Sequence, residues 1–108
     1  MGSFETFWEY LQKNLKAGTV IKNWTVDKGY LNDAMIIKAL TTSAIYVETP
    51  NAKYVQSVPK EDFERVFEVW EDYKVKNFKR SEVRDITRYS KYIISIIDWW
   101  EQEILKEN

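Results

Sequence analysis

The sequence predicts an α+β fold, and three observations lead there. Apolar residues recur at helical spacing over the first fifteen positions, β-branched and aromatic residues broken by turn signals fill positions 19–58, and helical spacing returns after Pro59 and holds to the end. The arrangement that follows is an N-terminal helix, a small antiparallel sheet of three or four strands, and three C-terminal helices packed on one face. With 108 residues, of which 44% are hydrophobic and 31% charged, the chain reads as a single domain over 1–108 that buries roughly two thirds of its unfolded surface without staples.

Taken in order, Phe4, Phe7, Trp8, Leu11 and Leu15 mark one face of the first helix, with Ser3 as its cap and Gly18 as the left-handed residue that ends it. Thr19 to Val26 is a strand, and Asp27-Lys28-Gly29 a turn. Ala34 to Thr41 and Ala44 to Thr49 are two further strands on a very short connection. Pro50-Asn51-Ala52-Lys53 is a turn before a fourth, short strand from Tyr54 to Val58. Strands this closely linked form an antiparallel meander most economically.

Pro59 suits the first position of a helix, and Glu61 and Asp62 follow where the helix dipole favours anions. Phe63, Val66, Phe67, Trp70 and Tyr73 form the apolar stripe of one long helix. Ser81 caps a short helix carrying Val83 and Ile86, and Ser90 caps the last, which runs to about Lys106. The expected core is Phe7, Leu11, Ile36, Ile45, Val47, Phe63, Phe67, Trp70, Ile86, Ile93 and Ile97.

Composition narrows the chemistry. There is no cysteine, hence no disulfide and no thiolate metal site, and no histidine, the commonest general base and zinc ligand. Serine and threonine nucleophiles therefore lack their usual base. Asp27, Asp33, Glu48 and Asp98 stand outside the acidic run, but no spacing brings two of them together. The three glycines are isolated, so no phosphate-binding glycine loop forms. The expectation is a chain that is not an enzyme and holds no metal or cofactor. No apolar run approaches roughly 18 residues and no basic-then-apolar leader is present, so neither a membrane span nor membrane attachment is expected, and cytoplasmic residence follows.

Two features point to binding. Residues 74–91 hold seven bases (Lys74, Lys76, Lys79, Arg80, Arg84, Arg88, Lys91) against two acids, a local net of +5, whereas residues 60–72 hold six acids against two bases and read as a solvated helix face. Within the basic run, a short helix, a tight turn and a second helix outline a helix-turn-helix. In such a motif Arg84, Arg88, Lys91 and the Ser90 hydroxyl are the contact candidates on nucleic acid, flanked by Lys79 and Arg80. The second feature is the last helix, whose Ile93, Ile94, Ile96, Ile97, Trp99, Trp100, Ile104 and Leu105 spread over more than one face. Either other elements of the chain cover the extra face, or a second copy does; for a homodimer the interface residues are Ile94, Trp99, Trp100 and Ile104.

The succession Ala44-Ile45-Tyr46-Val47-Glu48-Thr49, Val58-Pro59-Lys60-Glu61-Asp62-Phe63 and Val69-Trp70-Glu71-Asp72-Tyr73, continued by Arg80, Ser90, Tyr92, Ile93 and Ile94, resembles a small uncharacterised α+β module. Such modules occur alone on bacterial mobile elements or attached to restriction and defence proteins. The resemblance spans roughly residues 34–100 and implies a nucleic-acid setting, with no cofactor and no catalytic residue to carry over.

The functional expectation is a non-catalytic binding module that contacts nucleic acid through the basic corner at 79–91. Two alternatives stand beside it: a protein-interaction or self-associating module using the aromatic last helix, and a binder of a small apolar ligand between sheet and helices.

Overall fold

The computed structural model describes residues 2–50 and 54–107. Helix α1 (Phe4–Asn14) leads into a four-stranded antiparallel sheet, β1 (Val20–Thr25), β2 (Gly29–Leu40), β3 (Ala44–Glu48) and β4 (Gln56–Pro59), in the order β1-β2-β3-β4. Four helices follow: α2 (Lys60–Glu68), α3 (Trp70–Lys74), α4 (Arg80–Ile86) and α5 (Ser90–Glu107). The helices pack against the sheet, as the α+β reading expects, and no described helix is long and apolar enough to cross a membrane. The turn expected over residues 50–53 falls mostly outside the described residues.

Ser3 caps α1 as predicted: its hydroxyl accepts the Thr6 N–H at 3.2 Å. Gly18, however, is not the residue that ends this helix. The helix stops at Asn14, Leu15 is extended, and Gly18 instead serves the turn into β1, with φ +92° and its N–H donating to the Ile37 carbonyl at 2.7 Å. The first helix is then tied to the β2–β3 turn, since the Trp8 indole donates to Thr42 O at 3.2 Å and the Gln12 amide to Thr41 O at 3.0 Å.

Two irregularities decide which side chains point inward. The β1–β2 ladder slips between Lys22 and Trp24, and the β2–β3 ladder slips between Ile37 and Ala39. Inside lie Ile21, Met35, Ile37, Ile45, Val47 and Val58. Ile36, expected in the core, lies instead on the opposite face, between Val20 and Glu48. Ala34-Met35-Ile36-Ile37 is apolar throughout, so alternation could not choose a face there. Ile86, also expected inside, is half-buried at the margin of the core. The other nine predicted core residues are buried.

The stripe from Phe63 to Tyr73 belongs to two helices, not one. The chain breaks at Val69 (φ −106°, ψ 6°), and the break turns the second half toward the sheet edge. Phe63 and Phe67 meet Phe7 and Trp8 of α1, and Phe67 also meets Trp100 of α5. Trp70 and Tyr73 meet Trp24 of β1, and the Tyr73 hydroxyl accepts the Val26 N–H at 3.2 Å. A straight helix would direct both groups to one side. Pro59 ends β4 and caps α2 instead of opening it, and Ser81 sits inside α4, which is capped by Lys79.

Helix α5 runs through the middle of the molecule. Ile93 to Asp98 are all buried, beneath β1 on one side and α1, α2 and α4 on the others. Polar groups on this helix have partners: the Ser95 hydroxyl accepts the Trp24 N–H at 3.0 Å and lies 3.2 Å from Asn23 Oδ1. Thr87, just before it, donates to Asp62 at 2.8 Å and accepts the Tyr89 N–H, which joins α2 to the α4–α5 corner. Asp98 is 3% exposed. Burial pushes its carboxyl above the usual range, and the Tyr30 phenol and Gln102 amide, which favour the charged form, offset this only in part.

Replacing Ile37 with Ala should cost about 2–5 kcal/mol, and Ile36→Ala only about 1 kcal/mol, which urea unfolding distinguishes. For Asp98 the folded pKa exceeds the unfolded one, so the native state holds the extra proton between them and stability falls as pH rises through that window. Asp98→Asn should therefore melt higher than the parent at pH 7, with the difference closing as the pH is lowered below about 4.

Candidate nucleic-acid interface

The basic corner is built by the way α3 ends. Lys76 takes the left-handed conformation, φ +66°, that glycine usually supplies at this point. Its N–H donates to Tyr73 O, and the next N–H, of Asn77, reaches back to Asp72 O at 2.9 Å, which closes a Schellman turn. A lysine there costs about 1–2 kcal/mol relative to glycine. The chain then reverses through Phe78, which is half-buried against the core, and α4 begins with the Lys79 N–H donating to Glu82 Oε1 at 2.9 Å.

Between this corner and the end of β1 lies a surface cleft of about 340 Å³. Four cations line it: Lys76, Lys79, Arg80 and Arg84. Val26, Asp27, Phe78 and Ser81 complete the wall. Asp27 is the carboxylate in this lining, and it already pairs with Lys76 at 3.2 Å. Lys79, Arg80 and Arg84 have no salt-bridge partner among the described residues. Arg80 is half-buried and donates to a neutral group, the Ser90 hydroxyl, at 2.7 Å. Burial lowers its pKa, and the neighbouring Arg84 lowers it further, although a guanidinium keeps its charge at neutral pH. A half-buried cation beside a second cation is a place where an anion lowers the energy.

Of the six residues expected to touch nucleic acid, the structure brings Lys79, Arg80 and Arg84 into one cleft and leaves three outside its lining. Ser90 is 2% exposed and fixes Arg80 from behind, so its hydroxyl is not available to a ligand as expected. Lys91 is turned to Asp33, at 2.6 Å, and holds that carboxyl below the usual carboxylate range. Arg88 is exposed, with its guanidinium 5.3 Å from the Tyr89 ring. The helix-turn-helix outline does not hold either. A recognition helix must project a face into the groove, whereas α5, the second helix of the pair, is buried on all sides over Ile93–Asp98.

Two of the four residues expected at a homodimer interface are not available for it. Ile94 and Trp100 lie inside the chain's own core, at 0% and 3% exposure, and Trp100 packs on Phe7 and Phe67. Trp99 and Ile104 are half-buried against the same core, Trp99 beside Tyr10. The chain itself covers most of the extra apolar surface and leaves Leu105 exposed. The same rings occupy the interval between sheet and helices where an apolar ligand was expected.

Lys76, Asp27 and Phe78 were not singled out as site residues. Lys76 was visible as one of the seven bases, and Phe78 as an aromatic among cations, but neither signal shows that the chain folds back on the end of β1. Glu48 pairs with Lys38 at 3.8 Å, and no group of three metal-ligating side chains gathers among the described residues.

Ser90→Ala should remove the partner of a half-buried guanidinium. The expected loss is about 1–2 kcal/mol in urea unfolding, with the helical circular dichroism unchanged.

No family model matches this chain, and neither a curated protein nor a solved structure is similar to it.

Proposed function

We propose that this chain is a non-catalytic binding module that contacts nucleic acid through the cleft between α4 and the end of β1. The observation that carries this reading is the convergence of Lys79, Arg80 and Arg84 on one cleft, none paired with a carboxylate among the described residues. Phosphate oxygens supply the missing counter-charge, and arginine's planar fork matches them in pairs.

The corner is well separated in chemistry from the acidic helices that precede it. Glu61, Glu64, Glu68, Glu71 and Asp72 are exposed on α2 and α3, so the chain presents a negative surface and a positive one. A polyanion approaching this surface is steered to the second. The net charge of −1 therefore conceals a local field of the sign that phosphate needs.

Lys79→Glu combined with Arg84→Glu should abolish retention of a fluorescent oligonucleotide while leaving the circular dichroism unchanged. Lys22→Glu, an exposed change on the far face of the sheet, should have little effect. With about three phosphates neutralised, affinity should fall with salt along a log–log slope of about −2 to −3. Equal binding by the double variant, or binding indifferent to salt, would refute the assignment.

A further inference from the structure

We infer that the cleft takes single-stranded nucleic acid, with one unpaired base seated against Phe78 and the flanking phosphates on Arg80 and Arg84. This rests on the proposed function and specifies its ligand.

Two independent observations favour a single strand over a duplex. The first is the mixed lining of the cleft. A surface that only tracks a duplex backbone needs cations, yet here Phe78 and Val26 form an apolar wall beside them. Phe78 is packed on the core along part of its surface but, among the described residues, enters no ring–ring contact, unlike the clustered rings of α1, α2 and α5. An aromatic side chain in a cationic cleft is the pairing that single strands use, because every unpaired base offers a face for stacking. The size of the cleft, about 340 Å³, lies at the lower end of the range for small-ligand sites.

The second observation is the placement of the helices. Reading a duplex requires an element that enters a groove. The helix that follows the basic corner is the most enclosed one in the molecule, with Ile93–Asp98 buried, and α4 has only seven residues. The cations therefore surround a recess and do not lie along a projecting rod. A base turned out of a flexible strand can enter such a recess, whereas the bases of an intact duplex stay stacked within it.

The test compares a mixed-sequence 12-nucleotide strand with its own duplex by fluorescence anisotropy at one low salt concentration. The single strand should bind about 10-fold tighter or more. Phe78→Leu should reduce single-strand affinity by about 10-fold while leaving duplex binding and the salt slope unchanged, since stacking on one ring is being removed and no cation is lost. Phe78→Tyr keeps the ring and should keep the affinity, and thermal melts of both variants establish that they fold. Should Phe78→Leu fail to fold, the ratio of strand to duplex in the parent protein decides alone. Duplex binding equal to or tighter than the strand, or a Phe78→Leu loss shared by both ligands or absent from both, overturns the single-strand inference while leaving the proposed function standing. Failure of the parent protein to bind either ligand overturns both.

Discussion

Between Ile93 and Asp98, helix α5 has no solvent face, and the positions of the other elements follow from that enclosure. Four isoleucines at 0% exposure, each stabilising by about 1.5–3 kcal/mol when buried, need apolar surface on every side. Strand β1 supplies one side, and α1, α2 and α4 supply the others. The rings of Phe7, Phe67 and Trp100 close the contact where three helices meet, with centroids 5.0 to 5.8 Å apart. In a chain of 108 residues such a shared core leaves little apolar material for other uses. Unpaired charge is accordingly found at the perimeter, where short helices turn and charged side chains gather.

The same enclosure explains how the basic corner is organised. The N-terminus of α5 is held by Arg80 on Ser90 and by Lys91 on Asp33. These contacts use one of the corner's cations for α5 and orient another toward the cleft. What remains free is set by the fold and not by proximity in the chain: Lys79 and Arg84 are unpaired among the described residues, whereas Lys74 lies between Glu71 and Glu101. Lys76 accepts an unfavourable backbone conformation at the cleft wall, and its own pairing with Asp27 holds the turn against the end of β1. A left-handed lysine and the unpaired cations Lys79 and Arg84 therefore meet at one corner.

Much of the fold was legible because it rests on local chemistry. The Ser3 cap, the helical spacing of Phe4 to Leu11, the turn at Asp27 and Lys28, and the change of regime at Pro59 all depend on neighbours in sequence. What was not legible depends on distant contacts. Ile36 and Ile37 differ only in which side of a bulged strand meets α5 and its companions, and an unbroken apolar run carries no such information. The break at Val69 goes with the contacts that Trp70 and Tyr73 make to Trp24 of β1 and to Val26 just past its end. For the site, the density of bases between 74 and 91 was plain, and half of the named residues converge. The role of Ser90 was misread because a serine before a helix suggests a cap. Here a guanidinium ten residues earlier claims its hydroxyl.

Strand β1 sits at one border of the sheet; the N–H of its Trp24 and that of Val26, the residue just past its end, are taken by the hydroxyls of Ser95 and Tyr73. Unpaired strand borders are where proteins recruit foreign strands, whether in domain exchange or in fibril growth. Here an incoming strand would have to displace two hydroxyls anchored in buried helices before making its first ladder bonds. The irregularity between Lys22 and Trp24 adds a second obstacle, because a bulged, strongly twisted border is a poor template. The contacts that hold β1 to the central helices thus also guard that border against templated aggregation.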